Sequence, residues 1–462
     1  MNFNWILFHL LPSLGFILAL VLLSKILRER RSPTSTLAWL MTIIFIPYLG
    51  VPLYLIFGGR KMMRKVETKP ILPVYQPKMA SEGYGKEAYI SPSGSQGYPP
   101  TSNNRLKFLP KGEQAFRELL NLIKNAKHSV CIATFILGKD ETGKAIVKAL
   151  AEQASKGVKI CLLLDALGSA KMTRRLLLPL QKAGGRVAFF MPMLHLPFRG
   201  RANLRNHRKM IITDCKTAII GGMNLASEYM GPEESIDRWQ DLSLLIEGSA
   251  VDHLIDIFRS DWKFASKEDF PNSRTPDQLP DAIHNNVVQV VASGPDVSGD
   301  LLRNAILTAI FRAKQRVWII TPYFVPDELL VETLCIAASR NIDVSVLIPQ
   351  KSNHRLADLV RESYLGQLQE AGAGVFLYQP RMLHAKAILV DDTVAVVGSA
   401  NMDMRSLLLN YEIALCIYSP DSIRELEVWM QQLRSDCLIQ KKREKSSLGL
   451  IEGVGRLFAP LL

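Results

Sequence analysis

No C-x-x-C pair occurs in this chain, and its six cysteines (Cys131, Cys161, Cys215, Cys335, Cys416 and Cys437) are scattered. Most of them sit in apolar runs, so they read as reduced, buried thiols and not as a disulfide framework. The start, MNFNW, lacks both the basic residues and the small-residue cleavage site of a signal peptide. Acidic charge is short: 43 Asp and Glu face 56 Lys and Arg, leaving a net charge of +13. The partners are therefore expected to be anionic, and charge alone leaves nucleic acid and acidic lipid both open. Residues 66–106 lack any periodicity and are rich in Pro, Gly, Ser and Tyr, which reads as a flexible linker.

The N-terminus separates lipid from nucleic acid. Residues 3–23 are almost wholly apolar, and residues 37–57 form a second apolar run with Trp39, Tyr48 and Tyr54 near its ends. Both approach the roughly 20 residues that span a bilayer. Two such runs in tandem predict a membrane anchor over residues 1–65 and argue against a nucleic-acid partner. Lys25, Arg28, Arg30 and Arg31 follow the first run, and Arg60, Lys61, Arg64 and Lys65 follow the second. A simple hairpin would put one basic cluster on each side of the membrane. A re-entrant dip at Pro47, Gly50 and Pro52 would keep both on one side, and both arrangements stay open.

What is present in strength is a doubled motif. NHRKMIITDCKTAIIGGMN holds His207, Lys209, Asp214, Gly221, Gly222 and Asn224. HAKAILVDDTVAVVGSAN repeats the grammar with His384, Lys386, Asp391, Gly398, Ser399 and Asn401. Both read H-x-K-x4-D-x6-G-[GS]-x-N. The apolar run after each His predicts a buried strand, on which residues two apart share a face, so each His and its Lys point the same way. The Gly pair, or Gly-Ser, lets the backbone turn tightly and returns the Asn to that face. His, Lys and Asn together suit a phosphoryl group: Lys brings charge and Asn an amide donor to the non-bridging oxygens. Of two imidazoles, one can attack phosphorus while the other, protonated, gives its proton to the leaving alcohol. No carboxylate or Cys stands at ligand spacing from either His, and the lysines repel cations, so neither metal nor other cofactor is expected.

The rest of the chain is duplicated too. AKHSV at 126–130 resembles AKQRV at 313–317, GVKICLLL at 157–164 resembles NIDVSVLI at 341–348, and LQKAG at 180–184 resembles LQEAG at 368–372. Each half reads strand, helix, strand, helix, strand, motif, which implies α/β domains with helices on a central sheet. Residues 107–280 form the first domain, 281–440 the second and 441–462 a basic, apolar tail. The halves differ ahead of the motif: 20 positions separate Val187 from His207, but 9 separate Val375 from His384. The excess carries an apolar stretch and then Arg199, Arg201 and Arg205. It reads equally as a lip touching acyl chains and lipid phosphates or as a loop packed on its own domain. Asp241 in RWQDLSLLI aligns with Glu412 in LNYEIALCI, each on a strand-like run after its motif.

The doubled motif is similar to that of the phospholipase D superfamily. The resemblance implies two tandem α/β domains whose motifs meet across a pseudo-two-fold axis to form one active site. It implies a covalent phosphohistidine on His207 or His384, and phosphate binding by Lys209, Lys386, Asn224 and Asn401. Asp214 and Asp391, although motif members, fit structure better than chemistry. Asp241 and Glu412 would each orient a catalytic His. Further stretches, among them TSTLAWLMTIIFIPYLGVPLYLIFG, TPYFVPDE and SANMDMRSLLLNYE, resemble bacterial cardiolipin synthases from about residue 20 to the end. That implies transfer from one phosphatidylglycerol to another, giving cardiolipin and glycerol, at the bacterial inner membrane by a multi-pass protein. The assignment expected here makes His207 the nucleophile and His384 the general acid, with Glu412 keeping His384 charged. The alternatives are a phosphodiesterase, a transferase using another alcohol, or a non-catalytic membrane scaffold. A scaffold would leave two intact motifs without purpose, and a nuclease-like member would leave the apolar runs unexplained.

Overall fold

The computed structural model describes residues 18, 20–27, 33–57, 69–72, 97–172, 174–191, 204–270 and 285–441. Residues 1–68 and 194–203 form one compact unit, and residues 69–193 and 204–462 form another.

In the first unit, residues 20–27 are helical, followed by α1 (Pro33–Phe45) and α2 (Pro47–Phe57). The second apolar run is thus two helices and not one. Pro47 has no N–H to continue α1, and it opens α2 instead. Gly50 lies so close to α1 that a Cβ there would stand 2.5 Å from the Thr42 carbonyl oxygen. Leu22, Ile26, Ile43, Val51 and Tyr54 make a small core, with Trp39 edge-on to Tyr54 at 5.3 Å. Among the described residues no helix is long and apolar enough to cross a membrane. Residues 3–17 of the first apolar run, and the tail beyond Lys441, lie outside the described residues.

In the second unit the first half runs β1 (Thr101–Leu109), α3 (Gly112–Asn125), β2 (Ser129–Thr134), α4 (Glu141–Ser155), β3 (Lys159–Asp165), α5 (Arg174–Lys182), β4 (Arg186–Phe190), β5 (Met210–Thr213), β6 (Thr217–Gly221), β7 (Ser243–Gly248) and α6 (Ala250–Ser266). The second half runs β8 (Asn286–Ser293), α7 (Leu301–Arg312), β9 (Arg316–Ile320), β10 (Phe324–Val325), α8 (Glu328–Ser339), β11 (Asp343–Pro349), α9 (Arg355–Glu370), β12 (Gly374–Tyr378), β13 (Ala387–Val390), β14 (Val394–Gly398), β15 (Met402–Asp403), α10 (Met404–Leu408), β16 (Glu412–Ile417), α11 (Pro420–Ser435) and β17 (Cys437–Ile439). Fifteen strands make one sheet in the order β17-β12-β11-β9-β13-β14-β16-β8-β1-β7-β6-β5-β2-β3-β4. Read outward from the β8–β1 seam, the two arms repeat: β8-β16-β14-β13-β9-β11-β12 matches β1-β7-β6-β5-β2-β3-β4. The outer strands of each arm are parallel and helix-linked, and the motif strands are antiparallel hairpins. Each half has its own apolar core.

The seam corrects one boundary. β1 begins at Thr101, inside the stretch that the sequence assigns to the linker, because Asn104 is a buried staple. Its Nδ2 donates to the carbonyls of Thr101 and Asn286, and its Oδ1 accepts the Ala250 N–H at 2.8 Å. Asn103, at φ +60°, sits in the bulge that shifts the β1–β8 register.

Arg208, between His207 and Lys209 in the segment that enters β5, does not line the pocket with them. It is fully buried, with Nη1 at 2.8 Å from Asp261 and Nη2 at 2.9 Å from Asp296. Lys69 completes the cluster, pairing with Asp296 and, at 2.6 Å, with Asp261. Burial disfavours the Asp296 carboxylate, but Arg208 and Lys69 outweigh it and hold Asp296 below the ordinary range. A depressed carboxylate contributes stability above its unfolded pKa and loses it as pH falls through the folded one. We expect Arg208→Met to cost about 3–5 kcal/mol, since it strands buried carboxylates. Urea titration followed by tryptophan fluorescence checks this at pH 7, and the cost should shrink as the pH is taken below the carboxylate range. A loss under about 1 kcal/mol at pH 7 would show the cluster to be dispensable.

Candidate active site

The segments that enter the two motif strands cross into the opposite half. Asn206 bridges Tyr411, and the His207 N–H donates to the Tyr411 carbonyl at 2.9 Å. In the mirror arrangement Gln240 bridges Leu383, and the His384 N–H donates to the Gln240 carbonyl at 2.7 Å. Each His is thereby set beside the residue that follows its bridging partner, which is the acidic residue of the other half. His207 Nδ1 stands 3.3 Å from Glu412 Oε1, and His384 Nδ1 stands 2.7 Å from Asp241 Oδ2. This overturns the expectation that Glu412 serves His384. The acidic strands β7 and β16 flank the seam strands, so each carboxylate reaches across and not within its half.

His207, Lys209, Asn224, His384, Lys386 and Asn401 line one pocket of about 240 Å³. Both lysines curl toward their own histidines. Lys209 Nζ donates to the His207 carbonyl at 3.0 Å, and Lys386 Nζ donates to the His384 carbonyl and lies 2.7 Å from His384 Nδ1. Asn224 accepts the Ile136 N–H at 3.2 Å, and Asn401 donates to Asp403 at 2.9 Å. The glycines that end β6 and β14 are needed for close approach. A Cβ on Gly221 would stand 2.4 Å from the Leu242 carbonyl oxygen, and one on Gly398 would stand 2.3 Å from that of Ile413. The next position explains Gly against Ser. A Cβ on Gly222 would strike Asp241 Oδ1 at 2.2 Å, whereas Ser399 donates its hydroxyl to Glu412 Oε2 at 2.5 Å.

Burial dominates the electrostatics. It pushes His384 down to about 4, assisted by Lys386 and opposed by Asp241. Burial also pushes Lys386 down to about 7, opposed by Asp241 and assisted by Lys209, and it lowers Lys209. Two lysines and two histidines gathered in one buried pocket make a site for an anion.

Asp214 and Asp391, members of the motifs, do not line the pocket. They sit at φ +51° and +49° in the hairpin turns, at the far end of the motif strands. Asp214 accepts the N–H groups of Lys127, His128 and Ser129, and Asp391 those of Lys314, Gln315 and Arg316. Each carboxylate thus pins its turn to the start of β2 or β9. Arg205 is not on a lip: it is buried, donating to the Met191 carbonyl at 3.1 Å with Asp165 at 3.7 Å. Arg199 and Arg201 lie outside the described residues. Sequence reasoning missed Phe135, whose ring lies 4.0 Å from that of His207, and Tyr229 and Trp239, packed on His384 at 5.0 and 5.2 Å. It also missed the polar wall of Asp403, Ser406 and Asn410. SANMDMRSLLLNYE, where that wall is encoded, carries no spacing that singles these residues out.

The family model described as "Cardiolipin synthase, PLD-like domain" matches residues 119–262 and 306–434, and one described as "Phospholipase_D-nuclease N-terminal" matches residues 17–59. Cardiolipin synthase 1 of Bacillus cereus is 34% identical, over 94% of this chain and 90% of its own. The major cardiolipin synthase of Bacillus subtilis is 32% identical over 100% of both chains. The crystal structure of phosphatidylserine synthase from Haemophilus influenzae superposes with a TM-score of 0.59 at 16% identity, covering 87% of this chain and 98% of that one. That likeness supports the fold, and the full-length matches carry the rest: the chain belongs to the bacterial cardiolipin synthases of the phospholipase D superfamily.

Proposed function

We propose that this chain joins two phosphatidylglycerol molecules into cardiolipin and glycerol through a phosphohistidine. The observation that carries the reading is one pocket holding both motif histidines, each against the other half's carboxylate. His207 is the nucleophile. Its Nδ1 faces Glu412, which leaves Nε2 as the ring nitrogen that attacks phosphorus. The P–N bond forms as the bond to the glycerol oxygen breaks, and His384 gives its proton to that oxygen. The primary hydroxyl of a second phosphatidylglycerol then attacks. Its proton passes to His384, the new P–O bond forms and His207 is released. Lys209, Lys386 and Asn224 balance the charge on the non-bridging oxygens. Asn401 contributes through its link to Asp403. No metal takes part, the lysines filling the role of a charge-balancing cation.

The reaction runs at the bacterial inner membrane, where the N-terminal segments anchor the chain. Phe45 is 74% and Tyr48 78% exposed, with Ile44, Ile46 and Leu49 also exposed. An apolar surface of that kind is what a bilayer covers. α1 and α2 measure about 20 and 16 Å, short of the roughly 30 Å hydrocarbon core. Residues 37–57 therefore enter the membrane as a broken, re-entrant pair. Residues 1–65 serve as the anchor, with the two homologous domains downstream and 441–462 as a tail.

The test is direct. Purified full-length protein given labelled phosphatidylglycerol should yield cardiolipin and glycerol in equal amounts, undiminished by chelator. Acid-free quenching and digestion should find label on the peptide carrying His207. Label on the His384 peptide reverses the roles, and label on neither removes the covalent step.

A second expectation follows from the low values of His384 and Lys386. The acid must be charged when it acts, yet burial keeps His384 neutral above about pH 4 and Lys386 half-charged near pH 7. A bound anion raises both, so binding takes up protons. Calorimetry with tungstate at pH 7, in buffers of different ionisation enthalpy, should show uptake of about one proton and tighter binding at pH 6 than at pH 8. No uptake, or release, would mean that His384 does not gain its charge from the substrate.

A further inference from the structure

The two walls of the pocket are unlike. Counting from the motif asparagines, Ala226 and Tyr229 in the first half correspond to Asp403 and Ser406 in the second. At these two positions the first half thus has an alanine and an aromatic ring, and the second half a carboxylate and a hydroxyl, with the Arg405 side chain also lining the pocket beside them. Asp403 is buried, with Oδ1 accepting the Ser406 N–H at 2.7 Å and Oδ2 accepting from Asn401 at 2.9 Å. Burial raises its pKa above the ordinary carboxylate value. Around it, Asn401 Oδ1, Ser406 Oγ and Asn410 Oδ1 are buried and have no hydrogen-bond partner among the described residues. Asn401 is 7%, Ser406 1% and Asn410 2% exposed, and all three line the pocket.

Unpaired buried polar atoms are costly, and two amide oxygens and a hydroxyl on one wall of one pocket suit a ligand that donates there. Phosphate does not: its oxygens would face a carboxylate and amide oxygens. Hydroxyl groups do. Those of the glyceryl headgroup lie next to the reacting phosphorus in the donor, as leaving glycerol, and in the acceptor, as the attacking alcohol. Forward and reverse transfer share one path, so both hydroxyl sets pass through the same place.

We propose that Asn401, Asp403, Ser406 and Asn410 form a subsite for the glyceryl hydroxyls of the headgroup and so select the acceptor alcohol. The proposal rests on the reading of the chain as a phosphatidyltransferase. Hydroxyls held on this wall put the primary alcohol in line with the P–N bond. That bond breaks as the new P–O bond forms, and the alcohol's proton goes to His384. Water, with no carbon frame to be held by, competes poorly.

The experiment runs the transfer backwards with the full-length protein in detergent micelles. Cardiolipin is the donor, and glycerol, propan-1-ol and water compete for the phosphatidyl group. Each turnover releases one phosphatidylglycerol as leaving group, so labelled glycerol captured as phosphatidylglycerol is counted beside phosphatidylpropanol and phosphatidic acid. Wild type should prefer glycerol to propan-1-ol, which offers the same attacking group without the other hydroxyls. Ser406→Ala and Asn410→Ala should each lower that preference by about tenfold, while capture by propan-1-ol stays within about threefold. Ser406→Ala removes a single oxygen atom and decides the matter if Asn410→Ala fails to fold. An unchanged preference in a folded Ser406→Ala overturns the subsite. A wild type that yields none of the three products overturns the transferase reading instead.

Discussion

Alanine in place of His207, or of His384, is expected to lower cardiolipin formation by about 10³-fold or more, and the double variant should be little worse than either single one. Both histidines line one pocket, and in the proposed mechanism nucleophile and acid act on the same phosphorus. Removing either stops the cycle, and their losses do not add. The shared site is built from both halves, since each His is placed by a backbone bond to the other half and faced by the other half's carboxylate. Two independent sites would behave otherwise: each single variant would keep about half the turnover. Folding must be monitored beside activity. His207 packs on Phe135 at 4.0 Å, and His384 packs against Tyr229 and Trp239. Truncation leaves a small cavity in each case and costs about 1–3 kcal/mol. A thermal melt close to wild type, with label absent from the histidine peptides, attributes the loss to chemistry. Near-normal turnover by either folded single variant would end the shared-site model.

The sequence shows the parts of this molecule better than their pairing. Six motif positions at identical spacing in two places, with three further duplicated stretches, are enough to read two α/β halves and one phosphoryl site. The structure has that order of elements. The carboxylate partners were not legible, because alignment equates Asp241 with Glu412 without saying which His each one faces. That depends on the Asn206–Tyr411 and Gln240–Leu383 bridges, made between residues far apart in the chain. Arg205 misled for a similar reason. An arginine after an apolar loop suggests a surface, but Asp165 at the end of β3 gives it a buried counter-charge. Arg208 looked like an incidental residue between two motif members. It turns instead to the buried Asp261, where Lys69 arrives from a stretch with no pattern at all. The break in the second apolar run was hinted at by Pro47, Gly50 and Pro52. Hydropathy averages across such a break, whereas the proline ring and the Gly50–Thr42 contact enforce it.

The crossed carboxylates give the sharpest test of how labour is divided. Asp241→Asn and Glu412→Gln should each slow turnover by about 10²- to 10⁴-fold, because each removes the charge that orients an imidazole and supports its protonated form. The two defects should differ in kind. Asp241 is fully buried and reaches His384 at 2.7 Å, so its loss disables the proton donor. Glu412, also buried and fixed by the Ser399 hydroxyl, reaches His207 at 3.3 Å, so its loss disables the nucleophile. A donor lipid carrying 4-nitrophenol in place of glycerol separates them, since nitrophenolate departs without being protonated. On that donor Asp241→Asn should regain most of its rate of phosphohistidine formation, while Glu412→Gln stays slow. The later attack by an alcohol still needs a base, so the rescue should appear in the nitrophenolate burst and not in steady turnover. Rescue of Glu412→Gln alone would exchange the roles of His207 and His384. Equal rescue of both would mean that neither carboxylate is committed to one histidine, and the crossed geometry would then carry no division of labour.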